Sequence, residues 1–173
     1  VGMARALCLV TGGAGFIGSN LVDGLLASGH RVRVLDNLST GKVTYLKHAL
    51  DRIEWMKGDI RSEKNVRKAV KGVDYVFHVA ANRAVLRSVD QPLETNDVNV
   101  TGTLKVLIAA RDAKVKRLIF SSSSSVYGNT KKFPCEEKDP LSPQSPYAAS
   151  KAVGEYYCRI FSSVYGLETV SLR

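Results

Sequence analysis

Apolar positions along the 173-residue chain fall into six short runs, separated by segments of helical spacing or by turn chemistry. A parallel sheet with crossover helices produces this alternation. The first run, Ala6-Leu7-Cys8-Leu9-Val10, is continuously apolar, as a central strand covered on both faces must be. Thr11-Gly12-Gly13 interrupts it, and Phe16, Ile17, Leu21, Val22, Leu25 and Leu26 then repeat at helical spacing until Ser28-Gly29. Further strands are predicted at residues 31–35, 53–56, 74–78, 117–120 and 168–172, and further helices over 62–70, 95–113 and 147–165, the last stopped by Gly166. Residues 43–51 carry no clear period, and four of the five prolines fall from Pro134 to Pro146, which marks a loop. A strand that runs to Arg173 is expected to feed further structure, so residues 3–173 are expected to be one domain of a longer protein. Val1-Gly2 ahead of Met3 reads as a cloning remnant.

Composition narrows the functional classes. With 45% hydrophobic and 24% charged residues, the chain has enough material for one globular core and is short for two. Lys and Arg outnumber Asp and Glu by 25 to 16, a net charge of +9 that favours acidic partners such as nucleotides. That charge is spread out, with no basic stripe of interleaved aromatics, no RNA-binding signature and no zinc spacing, so nucleic-acid binding is not expected. Cys8, Cys135 and Cys158 show no Cys-x-x-Cys spacing; they read as packing thiols suited to a reducing cytoplasm. No metal site is expected, because His78 has no second His or Cys at ligand spacing. Nothing approaches the roughly 20 apolar residues of a membrane span, so no membrane association is expected.

Three constellations carry chemistry. Thr11-Gly12-Gly13-Ala14-Gly15-Phe16-Ile17-Gly18 lies between the first strand and the first helix, with glycines spaced both as G-x-x-G-x-x-G and as G-x-G-x-x-G. Such glycines allow a tight turn, a close approach of backbone to a pyrophosphate and close helix packing, and the helix N-terminus receives the phosphates. Asp36 ends the second strand, where a dinucleotide site needs a carboxylate for the ribose hydroxyls. Its charge would repel the 2′-phosphate of NADP and so favours NAD, although Arg31 and Arg33 leave room for a phosphate and Asp36 also fits a solvated turn. Asp59 could meet the adenine edge or cap its own turn.

Tyr147 and Lys151 are four apart on a predicted helix and share a face. A free phenol is a poor base near neutrality, and a neighbouring ammonium stabilises its phenolate. The third constellation is five consecutive serines followed by Val126-Tyr127-Gly128 at the end of the fifth strand, where ligands of open α/β sheets bind. One hydroxyl there is expected to donate to a substrate oxygen and the others to satisfy the turn. Arg83 and Arg87 follow Ala80-Ala81 and read equally as phosphate contacts or as solvated charge.

Taken together, the glycine start, Asp36-Asn37, Gly58-Asp59-Ile60, His78-Val79-Ala80-Ala81, Asn99, the serine run with Val126-Tyr127-Gly128, and Tyr147-x-x-x-Lys151 resemble the extended short-chain dehydrogenase/reductase family. Within it the chain most resembles the NAD-dependent nucleotide-sugar epimerases of the UDP-glucose 4-epimerase type, over its whole length. The resemblance implies an α/β fold of the Rossmann type, a doubly wound parallel sheet with helices on both faces, and a C-terminal substrate lobe that is absent here. It implies Ser123, Tyr147 and Lys151 as catalytic residues, the serine placed by counting back from Val126-Tyr127-Gly128. Cofactor contacts are implied for Gly12, Gly15, Phe16, Ile17, Gly18, Asp36, Asn37, Asp59, Ile60, Ala80, Ala81, Asn99 and Ser121, beside Tyr147 and Lys151. The implied reaction oxidises C4 of a UDP-hexose to a transient 4-keto sugar and returns hydride to the other face. A homodimer through helices 95–113 and 147–165 is implied as well. Dehydratases of the family place an acidic residue directly before Val-Tyr-Gly, where this chain has Ser124-Ser125; that departure favours an epimerase over the alternatives, a dehydratase or reductase of the same family or a non-catalytic NAD-binding domain.

Overall fold

A computed structural model describes residues 5–173; Val1-Gly2 and the boundary at residue 3 lie outside the described residues. Strand β1, Leu7–Thr11, is buried along its whole length. It is flanked on one side by β2 (Arg31–Asp36) and β3 (Ile53–Lys57), and on the other by β4 (Tyr75–His78), β5 (Arg117–Ser121) and β6 (Thr169–Leu172). All five pairings are parallel, in the order β3-β2-β1-β4-β5-β6. The chain therefore builds outward from β1 in one direction and then in the other. Between β1 and β4 the order reverses, which opens a crevice at the carboxyl ends of the strands.

Alternation along β1 and β2 divides the core. Val10, Val32 and Val34 join Val22 of helix α1 (Phe16–Ala27) and Leu46 in one cluster. Leu7, Leu9 and Leu35 face the other layer, with Val66 of α2 (Glu63–Val70), Leu107 of α5 (Thr103–Asp112), and Cys158 and Phe161 of α6 (Pro146–Tyr165). Burial pushes the thiols of Cys8 and Cys158 up to about 11, as packing thiols should behave. Helix α6 starts on Pro146, its N-cap Ser145 accepting from the Ala148 amide, and ends at Gly166 in the left-handed conformation.

All six predicted strands form within two residues of expectation, while the helical segments between β4 and β5 differ. Helix α3, Val85–Asp90, was not anticipated. Its Val85, Leu86 and Val89 are exposed and its buried residue is Ser88, so no apolar stripe announces it. The helix expected over 95–113 begins at Pro92, as α4 (Pro92–Asn96), and passes through a π-helical turn, Asp97–Gly102, into α5. Proline at the first helical position starts this helix rather than breaking one. Residues 43–46, left open by the sequence, form a 3-10 turn that buries Leu46 completely.

Two glycines of α1 should respond in opposite ways to a methyl group. A Cβ on Gly18 would run into the Gly12 carbonyl oxygen and lie 2.7 Å from the Gly13 Cα, whereas one on Gly24 meets nothing within 4 Å. In urea denaturation Gly18→Ala is expected to cost about 1–3 kcal/mol by overpacking. Gly24→Ala is expected to gain about 0.5–1 kcal/mol in the same helix; equal shifts of one sign would contradict the close approach.

Candidate active site

The crevice between β1 and β4 holds a cavity of about 370 Å³. Its floor is the glycine turn. Gly12 adopts φ +72°, and a Cβ there would lie 2.7 Å from the Ala80 backbone, so β1 and β4 can come this close only with glycine. Below them Thr11 and His78 pair across the sheet. Thr11 Oγ1 accepts from the Ala80 amide at 3.2 Å and lies 2.7 Å from His78 Nδ1, while His78 Nε2 lies 2.8 Å from Thr103 Oγ1. Complete burial, with Lys151 nearby, pushes the imidazole down to about 3; the ring is neutral at physiological pH and its nitrogens are spent on hydroxyls.

At one end of the cavity, α1 presents its N-terminus. Gly15 caps it without a side chain, and its first turn holds no acidic residue. The first intrahelical bond runs from the Ser19 amide to the Gly15 carbonyl, which leaves the amides of residues 16–18 without helical partners. An anion such as a pyrophosphate fits this end. Gly12, Gly15, Phe16, Ile17 and Gly18 all line it.

Beside them sits Asp36, buried, with Oδ2 accepting from the Ala14 amide (3.0 Å) and Oδ1 from the Leu38 amide (2.7 Å). The carboxylate is thereby fixed against the glycine turn and still lines the cavity. Arg31 and Arg33, which left room for a phosphate in the sequence, are both bound to Glu54, at 2.7 and 2.6 Å. Arg33 also donates to the Ala69 and Lys71 carbonyls, and neither arginine lines the cavity. The charge around Asp36 is therefore unfavourable to a 2′-phosphate. Asn37, Asp59 and Ile60 complete this end. Asp59 accepts from Arg61, through guanidinium and amide, and from Asn37; the Arg61 guanidinium holds its carboxyl well below the usual carboxylate range.

Tyr147 and Lys151 line the opposite end with Ser121, Ser123, Ala80 and Ala81. Helix α6 brings the Lys151 ammonium 2.7 Å from the Ser121 carbonyl and 6.0 Å from the Tyr147 ring. Lys151 is 3% exposed, and desolvation lowers it to about 8. Ser123 Oγ accepts from the Ser125 amide and donates to Ser125 Oγ, both at 3.1 Å. A phenol, an ammonium and a hydroxyl thus line one end of a cavity whose other end has an open helix terminus and a fixed carboxylate. Such a cradle suits a dinucleotide with its reactive ring toward Tyr147.

One expected contact residue is placed differently. Asn99 does not line the cavity; its amide oxygen accepts from the Asn82 amide at 2.7 Å, and its nitrogen donates at 3.0 Å to both the Asn82 carbonyl and Ser150 Oγ. It ties the loop after β4 to the turn of α6 between Tyr147 and Lys151. Arg83 and Arg87 do line the cavity, and Arg87 is paired with Glu94 at 2.8 Å. Sequence reasoning missed Ser39, Thr40, Gly41 and Tyr45, which wall the cavity beyond Asp36. The Ser/Thr/Gly-rich stretch directly after Asp36 was the available signal.

The model of the NAD dependent epimerase/dehydratase family matches residues 8–173. A UDP-glucose 4-epimerase of Mycolicibacterium smegmatis is 44% identical over 164 residues, 92% of this chain and 52% of that protein. Among solved structures, a Thermus thermophilus UDP-glucose 4-epimerase in complex with NAD superposes with a TM-score of 0.91 at 42% identity, over 96% of this chain and 54% of the other. A dTDP-glucose 4,6-dehydratase from Streptomyces venezuelae with NAD and TYD bound also reaches 0.91, at 38% identity, over 95% of this chain and 54% of the other. The chain spans about half the length of the curated relatives it matches.

The buried ammonium has a pH signature. An unfolded lysine titrates near 10.4 and Lys151 in the fold near 8, so between these values the unfolded chain binds more protons and stability rises with pH. The unfolding free energy of the parent relative to Lys151→Met is expected to climb from pH 8 to 10.5 and to stay level between pH 6 and 7.5. A flat difference in chemical denaturation across the upper window would remove the buried charge.

Proposed function

Because the chain belongs to the NAD dependent epimerase/dehydratase family, we propose that it binds NAD in the β1/β4 crevice and forms the catalytic part of a nucleotide-sugar 4-epimerase acting on UDP-hexoses. The observation that carries this reading is the placement of Tyr147, Lys151 and Ser123 at one end of a cavity whose other end offers the open α1 terminus and Asp36. In the proposed arrangement the residues of the glycine turn hold the pyrophosphate, and Asp36 the adenosine ribose. Bound there, NAD supplies a reversible acceptor for the hydride at the sugar C4.

The protein's own residues handle the proton. Tyr147 Oη removes it from the 4-hydroxyl as that carbon becomes a ketone, and returns it when hydride arrives on the other face. Lys151, held by the Ser121 carbonyl, keeps a positive charge beside the phenolate. Ser123 Oγ donates to the sugar oxygen throughout.

A dehydratase needs a further acid and base for elimination. At the serine run the carboxylate within reach is Glu155, which is bound to Ser122 and Arg173 and does not line the cavity. Of the carboxylates that line the cavity, Asp36 and Asp59 lie at the adenosine end and Glu94 is paired with Arg87. This distribution supports epimerisation over dehydration. The three cysteines are all free, which fits a reducing cytoplasm. Among the described residues no helix is long and apolar enough to cross a membrane.

A homodimer through α6 belongs to the same proposal, because Tyr156, Ile160 and Val164 are exposed at successive i, i+4 positions of that helix. Ile160→Glu is expected to convert a sedimenting dimer to monomer; a parent that sediments as a monomer at micromolar concentration would end this part.

Titration calorimetry and product analysis test the whole. NAD is expected to bind this chain more tightly than NADP, with Asp36→Ala weakening NAD by about 10-fold or more through the lost charged hydrogen bonds. In the full-length protein, Tyr147→Phe is expected to keep NAD affinity and to lose about 10²–10⁴ in interconversion of UDP-glucose and UDP-galactose. A 4-keto-6-deoxy product would make the protein a dehydratase. Tight NAD binding without turnover of any nucleotide sugar would favour a binding domain instead.

A further inference from the structure

Directly behind the end of the cavity lined by Tyr147, Lys151 and Ser123 lies a carboxylate that does not line it. Glu155 on α6, one turn beyond Lys151, is 6% exposed. Its Oε1 accepts from Ser122 Oγ. Arg173 grips the same carboxylate, with Nε 3.0 Å from Oε1 and Nη2 2.8 Å from Oε2. From its other side the guanidinium donates to Tyr127 Oη at 3.0 Å and to the Glu137 carbonyl at 2.8 Å. Burial alone would raise the carboxyl of Glu155, but the Arg173 and Ser122 hydrogen bonds outweigh it and hold the group below its ordinary value.

This cluster brackets Ser123. Before it, Ser121 is tied by its carbonyl to Lys151, and Ser122 by its hydroxyl to Glu155 and by its amide to the Leu172 carbonyl at 2.7 Å. After it, the 3-10 turn Ser124–Tyr127 ends on the tyrosine that Arg173 holds. Consecutive residues of the serine run are thus fixed to consecutive turns of the helix that carries Tyr147.

We propose that Glu155, acting through Ser122 and Arg173, is a positioning residue that sets Ser123 against Tyr147 for reaction. The inference rests on the 4-epimerase reading for its kinetic part and on geometry alone for its structural part. It accounts for a buried ion pair whose net contribution to stability is expected to be small, in a place where a small displacement of a hydroxyl matters to a transition state.

The test compares the full-length parent with Ser122→Ala and Glu155→Gln. Ser122→Ala removes the link without leaving Arg173 unpaired, so it stays informative if Glu155→Gln folds poorly. In both variants, hydrogen exchange of the amides of residues 123–127, followed by mass spectrometry, is expected to rise by about tenfold, as local opening becomes easier. For the sugar-nucleotide reaction, kcat is expected to fall about 10- to 100-fold, with KM and the Kd for NAD held within about twofold. Unchanged exchange with unchanged kcat overturns the proposal. So does a joint collapse of KM, NAD affinity and thermal midpoint in both variants, which marks a purely structural role. A parent that binds NAD but turns over no nucleotide sugar defeats the function reading, and the exchange measurement then decides the clamp by itself.

Discussion

Everything in this fold hangs on how closely β1 and β4 approach at the point where the strand order reverses. Thr11 and His78 sit opposite each other there, and immediately beyond them the Gly12 and Ala80 backbones come too close for any Cβ on Gly12. Two consequences follow. The glycine turn forms the floor of the crevice and is open to whatever enters it. The buried hydroxyl, imidazole and hydroxyl of Thr11, His78 and Thr103 then pin the floor to α5. Because the imidazole is held neutral, this chain of hydrogen bonds adds no charge to a site that already contains Lys151.

Helix α6 buries two ionisable groups one turn apart and treats them differently. Lys151 has no acidic partner among its hydrogen bonds; it faces a carbonyl, and desolvation lowers it to about 8. Glu155 has a bidentate guanidinium and a hydroxyl. An ammonium without a carboxylate partner keeps its field available to whatever enters the cavity. Pairing the carboxylate elsewhere prevents it from cancelling that field. The separation of the two groups is therefore as important to the site as either alone.

The strands were legible because each is a short apolar run bounded by turn residues; the glycine turn because it follows directly on a strand and Asp36 because it ends one, and Tyr147 and Lys151 because residues four apart on one helix share a face. Other features depend on contacts that no local pattern encodes. Helix α3 is held by Ser88, whose hydroxyl accepts from the Tyr147 amide at 3.1 Å, so hydrophobic periodicity says nothing about it. Asn99 is far in sequence from Asn82 and Ser150, and its role as a tie between them is visible only when the π-helical turn sets it between loop and helix. The commitment of Arg31 and Arg33 to Glu54 follows from β2 pairing with β3, where Arg33 and Glu54 are direct partners. Composition reports the charges of such groups and not whether they are free.

The five serines show where chemical identity gives way to register. Side chains of extended backbone alternate between faces, and Ser123 is extended, with φ −163° and ψ 146°. Ser122 and Ser123 consequently cannot direct their hydroxyls to the same place: Ser122 turns to Glu155, and Ser123 to the turn beside the cavity. A slip of β5 by one residue would exchange them. That slip is opposed on both sides, by the pairing of His78 with Phe120 and of Ser121 with Leu172, and by Phe120 itself, whose ring lies where any Cβ on Gly154 of α6 would fall. Which serine binds Glu155 and which binds the turn at Ser125 is therefore selected by an apolar contact between β5 and α6, and the serines around it could not supply that choice themselves.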